Sequence, residues 1–223
     1  MLTQLQPLIK RSVLRKFSAG STVLYQGEVP RSACIISSGI VRVFSISPQG
    51  DEQIVMFHIA GEIFPSSWIF GKAPSTLFFY EVSVDSEIAY CPREELLSFM
   101  METPERAHAL LDYFTTNYAA SLIRVNALEQ PKARDKLIYT LFYLCQRYGN
   151  VSSATVKIPL NLTHQNLASL VGLTRETTAI EMSKLKKEHV ITYKQQQYSI
   201  HTNRLLDVLG EDSFRDLSIS SNG

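Results

Sequence analysis

The stretch from Leu162 to Thr202, LTHQNLASLVGLTRETTAIEMSKLKKEHVITYKQQQYSIHT, constrains the fold most, because its pattern reads as two short helices about a tight turn followed by a two-stranded wing. Thr163 stands where a hydroxyl can cap the free amides of a first helix, and Leu167, Leu170 and Val171 give that helix an apolar stripe. Gly172 ends it and Leu173 bridges the turn. Thr174 restarts the chain as a second N-cap, with Thr177 at the third helical position, where a capping box carries Glu or Gln. The spacing predicts a second helix to about Lys187.

On that second helix Thr178, Met182 and Leu185 recur at four and three residues, so they form the face that packs on the first helix. The opposite face carries Glu176, Ile180 and Ser183, flanked by Arg175 and Ala179. A B-form major groove admits one helix, and its base edges offer donors and acceptors that Arg and Glu can read. An ordinary helical hairpin in a core is the alternative, and the wing and the charge speak against it. The net charge of +1 conceals an asymmetry: residues 131–223 hold 12 Lys and Arg against 8 Asp and Glu, residues 1–130 hold 10 against 13. Lys184, Lys186, Lys187 and Lys194 fall where a docked helix and wing would meet phosphates. Read alone, a Lys-rich helix end is a solvated face that complements the helix dipole.

The 223 residues suffice for two domains, and 45% hydrophobic with 19% charged residues is the composition of a globular protein. No apolar run approaches a membrane span, and MLTQLQPLIKRS lacks the features of a secretory signal, so the expectation is a cytoplasmic protein without membrane contact. Cys34, Cys91 and Cys145 lie too far apart in sequence for a CxxC pair or a local metal knot and read as buried thiols.

The expected class is α+β: an N-terminal antiparallel jelly roll over 1–102, a long dimerisation helix over 103–130, and a C-terminal winged helix-turn-helix domain over 131–223. Residues 17–91 carry short alternating or β-branched runs punctuated by Gly20, Gly27, Gly39, Gly50, Gly61 and Gly71. The clearest strands are 33–36, 40–46, 53–59 and 78–84, with Pro48-Gln49-Gly50-Asp51 as a hairpin turn. A short helix over 93–101 leads through Thr103-Pro104 into a helix reaching 128 or 129. There Ala107, Leu111, Phe114, Tyr118, Ser121, Val125 and Leu128 alternate at four and three, a heptad seam for a second copy of the chain or a stripe that packs on its own barrel. Pro131 makes a hinge, ARDKLIYTLFYLCQRY from Ala133 to Tyr148 is amphipathic, a last helix spans about 203–209, and SISSNG is expected to fray.

This order resembles the Crp/Fnr family of bacterial transcription regulators, over nearly the whole chain. The residues that carry the resemblance are FSAGSTVLYQGEVPRSACIISSGIVRVFSISPQGDEQIV from Phe17 to Val55, similar to the family's barrel opening, and LTRETTAIEMSKL from Leu173 to Leu185, similar to its recognition helix. The resemblance implies a homodimer on an inverted repeat in double-stranded DNA, with half-sites about one helical turn apart. In it Arg175 would hold a guanine, Glu176 would accept from a cytosine amine, and Thr174 and Thr177 would touch phosphate, with Thr163, Lys184 and Lys194 beside them. Ala179 and Ile180 depart from the family's usual Gly or Ser followed by Arg, which implies a TGA-type half-site core with an altered outer position. The loop from Gly149 to Thr155 and the turn from Ser47 to Gln53 resemble surfaces through which relatives touch RNA polymerase; their plain reading is solvent-facing loops.

Members that bind cyclic nucleotides line the phosphate with a Gly-Glu-Leu turn and an Arg-Ser or Arg-Thr step, since a buried phosphate needs a fixed cation. Here Pro65-Ser66-Ser67 and Thr76-Leu77 fall at those places, which disfavours cyclic AMP, and Lys72 reads as solvated. Phe64, Ser66, Ser67, Trp68, Thr76, Leu77 and Phe78 then outline a pocket for a small apolar or aromatic effector, or equally part of a filled core with no ligand. Three cysteines, none before Cys34, argue against an iron–sulfur cluster, and His58 and His108 are weak grounds for haem. An enzyme of the cupin type would need a His-x-His pair, and the barrel region offers only His58. A ligand-binding or protein-interaction module is the other alternative, against which Arg175, Glu176 and the Lys-rich helix end discriminate.

Overall fold

Leu5, Leu8 and Ile9 open the chain with an apolar triplet at helical spacing, and the computed structural model, which describes residues 2–152 and 154–210, places them fully inside a helix, α1 (Leu2–Arg11). Pro7 sits within the helix and removes a backbone donor, which masks the element in the sequence. Burying three large aliphatic side chains at about 1.5–3 kcal/mol each outweighs a proline cost of about 3 kcal/mol. The expected fraying of SISSNG lies outside the described residues.

The chain divides into two compact units between Thr115 and Thr116. After α1 the first unit contains β1 (Val13–Phe17), β2 (Thr22–Leu24), β3 (Ala33–Ile46), β4 (Glu52–Ile59), β5 (Ile63–Phe64), the short α2 (Ser66–Ile69), β6 (Phe79–Cys91), α3 (Arg93–Met101) and the beginning of α4 (Pro104–Glu129). The strands form one antiparallel sheet in the order β1-β6-β3-β4, with β2 added to β6 and β5 to β3. The two strands expected over 33–36 and 40–46 are one strand, and the one expected over 78–84 continues to Cys91. The two long strands are largely buried on both faces over their paired ends, 33–36 and 88–91, and on one face beyond them. Ala33, Ile35, Ala89 and Cys91 turn to a core shared with α1, Ile69, Leu96, Phe99, Met100 and Leu110. Cys34, Ile36, Val41, Val43, Val82 and Ile88 turn to a second core with Leu24, Phe64 and Tyr80.

Gly39 lets β3 pass between these cores. Its φ is 96°, and a Cβ there would stand 2.0 Å from Ser86 Oγ and 2.7 Å from the Asp85 carbonyl oxygen. Ser86 Oγ accepts from the Ile40 amide at 3.1 Å and donates to the Val84 carbonyl at 2.7 Å, where the β3–β6 register shifts.

The second unit holds the rest of α4, then α5 (Ala133–Tyr148), β7 (Asn150–Ser152), β8 (Thr155–Ile158), α6 (His164–Val171), α7 (Arg175–Lys187), β9 (Ile191–Lys194), β10 (Gln197–His201) and α8 (Thr202–Leu209). Its sheet runs β7-β8-β10-β9. The expected loop from Gly149 to Thr155 is therefore partly sheet: Asn150, Val151 and Ser152 pair with Lys157, Val156 and Thr155. Val151 and Val156 give this segment its strand character. Helix α5 is buried through Leu137, Ile138, Leu141, Phe142, Leu144 and Cys145 and is the central support of the unit.

On α4 the residues expected to form a seam differ in exposure. Leu111, Tyr118 and Val125 are 62%, 67% and 56% exposed, and Leu122, outside the expected set, is 53% exposed. Phe114 is half-buried and meets Phe70 edge-on at 4.9 Å, so it belongs to its own unit's core. Ala107 and Leu128 are also partly withdrawn, and Ser121 is exposed. The free apolar stripe is thus Leu111, Tyr118, Leu122 and Val125, with Thr115 between.

Replacing Gly39 with Ala combines a left-handed backbone with a clash against backbone oxygen, so urea unfolding is expected to show a loss of about 2 kcal/mol or more.

Candidate nucleic-acid interface

Two capped helix starts and a left-handed turn fix the helix pair. The Asn166 amide donates to Thr163 Oγ1 at 3.0 Å, while the Thr163 amide donates to Asn166 Oδ1 at 2.9 Å, a reciprocal capping box. Gly172 closes α6 at φ 67°, ψ 40°, a conformation glycine adopts without a Cβ penalty. Thr174 Oγ1 then accepts from the Thr177 amide at 3.2 Å, and Thr178 Oγ1 donates back to the Thr174 carbonyl at 2.9 Å. Thr178, Met182 and Leu185 are buried as their spacing predicts, which turns the opposite side of α7 to solvent.

On that side Arg175, Glu176, Ile180 and Ser183 are exposed, with Ala179 half-buried on the flank. Among the described residues neither Arg175 nor Glu176 is held in an ion pair, so both remain available at the helix N-terminus. Lys184 pairs with Glu181 at 2.6 Å, a surface contact worth no more than about 1 kcal/mol. Lys194 is exposed at the end of β9, where Gln195 and Gln196, both at positive φ, make the two-residue turn of the wing.

The sequence reading missed two tethers. Arg134 at the start of α5 grips Glu188 at the end of α7 through both carboxylate oxygens, at 3.1 and 2.5 Å, and these hydrogen bonds raise the guanidinium pKa. The Tyr193 ring of β9 stacks on Tyr198, meets His164 edge-on at 6.1 Å and receives Lys186 Nζ at 4.7 Å, joining the wing to the first residue of α6 and the last turn of α7. Partners 54 residues apart, as Arg134 and Glu188 are, leave no local signal.

The residues expected to outline an effector pocket are distributed over both cores of the first unit. Phe64 is fully buried and stacks on Tyr80 at 5.1 Å and on His58 at 5.7 Å, and His58 Nδ1 meets Glu62 Oε2 at 2.7 Å in a buried pair. Phe78 packs on this same core, whereas Trp68 packs on the other and lies under the Arg93 guanidinium at 5.5 Å. Ser66 Oγ donates to the Ile63 carbonyl, and Ser67 caps its own loop by accepting from the Lys72 and Ala73 amides through its carbonyl oxygen. Thr76 is buried, and its hydroxyl donates between the Tyr25 carbonyl at 2.5 Å and the Glu28 carbonyl at 3.2 Å, so it latches two loops together. Leu77 and Lys72 are exposed, and so is His108 on α4. The three thiols are buried; burial pushes Cys34 well up, Cys91 to about 11 and Cys145 to about 12, which keeps them protonated.

Residues 14–103 match the family model of the cyclic nucleotide-binding domain, and residues 135–207 match that of the Crp-like helix-turn-helix domain. The chain belongs to the Crp/Fnr family of transcription regulators. The fumarate and nitrate reduction regulatory protein of Vibrio cholerae is 26% identical over 86% of this chain and 76% of its own length. Among solved folds, FixK2 from Bradyrhizobium japonicum superposes with a TM-score of 0.70 at 18% identity, covering 88% of this chain and 96% of that one. CprK complexed with OCPA gives 0.68 at 14% identity, covering 92% and 93%. The antiparallel N-terminal domain, long helix and helix-turn-helix domain are those of the family, and its helix-turn-helix regulators bind DNA and act as dimers. No helix among the described residues is long and apolar enough to cross a membrane.

Each threonine cap of this Crp/Fnr helix pair is expected to contribute about 1 kcal/mol. Thr163→Ala and Thr174→Ala should each lower the denaturation midpoint accordingly, with the helical circular dichroism of the folded state unchanged.

Proposed function

We propose that this regulator binds an inverted-repeat operator as a homodimer, reading each half-site with the first turn of α7. The observation that carries the reading is the pairing of a locked inner face, Thr178, Met182 and Leu185, with exposed Arg175 and Glu176. Arg175 takes a guanine through O6 and N7, and Glu176 accepts from a cytosine amine. Thr163, Thr174, Thr177, Lys184 and Lys194 serve the phosphates, while Ala179 and Ile180 offer an apolar edge that can touch a thymine methyl and cannot donate. That chemistry fits a TGA-type core with an altered outer position.

The second copy of the chain covers the stripe of Leu111, Tyr118, Leu122 and Val125, because so much apolar surface along one helix face matches what a coiled seam buries. The turn from Ser47 to Gln53, held by Ser47 Oγ accepting from the Gln49 and Asp51 amides, is the surface offered to RNA polymerase, together with the β7–β8 hairpin. The protein works in the cytoplasm and catalyses no reaction.

Cyclic AMP is not the effector in this reading, since Thr76 and Leu77 stand where a phosphate needs a cation. A different small molecule, apolar or aromatic, would have to displace part of a core to enter. The stack of His58, Phe64 and Tyr80 therefore favours a second reading, in which the barrel is filled and no effector is required.

Selection from random duplex DNA is expected to return a dyad, and affinity should fall steeply with salt. Arg175→Ala is expected to cost about 1–3 kcal/mol and relax one base position, whereas Lys194→Ala should weaken all sequences evenly and reduce the salt slope by about 1. Tyr118→Glu should yield monomers in sedimentation and abolish tight operator binding; a dimer that persists would discard the seam.

A further inference from the structure

The C-terminal half of α4 has two working faces. Tyr118, Leu122 and Val125 are open to solvent, while Ala120, Arg124 and Ala127, at spacings of four and three, are withdrawn from it. An arginine on a face otherwise of alanines requires an explanation. Its Nη2 donates to the Leu170 carbonyl at 3.0 Å, and its guanidinium lies 5.7 Å from the centre of the Tyr143 ring on α5. Burial lowers its pKa from the ordinary value, with Tyr143 and Tyr148 acting in the opposite sense.

The acceptor is significant. Leu170 lies in the last turn of α6, where carbonyls lose their helical donors and the helix dipole is negative. The chain is already turning: the Gly172 and Leu173 amides both fold back on the Ala168 carbonyl, which leaves the Leu170 carbonyl to a donor from another element. A planar cation satisfies that carbonyl and the local negative potential together. Five residues beyond Leu170 is Arg175, the first residue of α7, and one residue beyond Arg124 is Val125 of the exposed stripe.

We infer that Arg124 is a positioning residue that fastens the dimer-forming helix to the turn of the helix-turn-helix, so that the setting of α4 at the seam dictates where α7 meets DNA. The inference rests on the dimeric DNA-reading function proposed above. It assigns to one side chain the transfer of geometry from seam to recognition helix: Arg124 grips the end of α6, and α6 is joined to α7 by Gly172, Leu173 and the Thr174 cap. A side chain without the donor leaves α6 and α7 folded, since their own caps and core remain, but frees them from α4.

The test compares two duplexes with the full chain: the operator recovered by selection, and the same operator with one base pair added between half-sites, which moves them apart by about 3.4 Å. The wild type is expected to discriminate strongly between them. Arg124→Met, shown to be folded and dimeric by circular dichroism and sedimentation, is expected to bind the operator about tenfold more weakly and to lose at least about fivefold of the spacer discrimination. Arg124→Lys, which keeps the charge without the planar fork, should fall between. A merely structural role would lower the melting temperature and leave the spacer ratio untouched, and an unchanged ratio in folded, dimeric Arg124→Met overturns the inference. Where Arg124→Met yields no dimer, Arg124→Lys decides: a wild-type ratio overturns the proposal and a reduced one supports it. A wild type that selects no dyad overturns the dimeric reading, an outcome distinct from a wild type that discriminates alongside variants that do so equally.

Discussion

The pairing of β3 with β6 holds the first unit together, because each strand is the wall between two cores. Side chains alternate across a strand, so Ile35 and Ala89 reach the core under α1 and α3, while Ile36 and Ile88 reach the one containing Phe64 and Tyr80. A strand so placed must be apolar on both sides, and the runs ACII in β3 and IAYC in β6 show it. Where the two strands change register, Gly39 is the residue that has no room for a side chain, and Ser86 supplies the donor and acceptor that the shifted backbone lacks. The barrel's shape thus depends on a contact between a missing Cβ and a hydroxyl.

In the second unit the corresponding constraint is orientation. The caps of Thr163 and Thr174 and the left-handed Gly172 set the angle between α6 and α7 locally, and the Arg134–Glu188 fork fixes the far end of α7 to α5. Tyr193 closes the arrangement from the wing side. A frame made this way needs no contribution from the exposed Arg175, Glu176 and Ile180, so these three positions can change without loosening it.

The sequence was most legible where local chemistry decides the conformation. Thr163, Gly172 and Thr174 announce helix ends by their side chains and φ preference alone, and the boundaries of α3, α4, α5 and α7 follow from proline, glycine and periodicity. It was least legible where a choice depends on partners distant in the chain. The heptad of α4 offers several faces; Phe114 leaves the free one because Phe70 is there to receive it, and nothing near residue 114 reveals that. The aromatics from Phe64 to Phe78 look like one group in sequence, yet the alternation of β5 and the turn of α2 send Phe64 and Trp68 to different cores. In α1, Pro7 hid a helix that burial stabilises.

The tip of the wing adopts backbone angles that Asn-Gly would take with little strain, yet the chain places Gln195 and Gln196 there. Two residues with side chains held at positive φ make the hairpin less stable than it could be. What the chain gains is a pair of long carboxamides at the outermost point of the wing, each able to donate and accept. At these two positions local folding preference yields to a pair of exposed amide side chains.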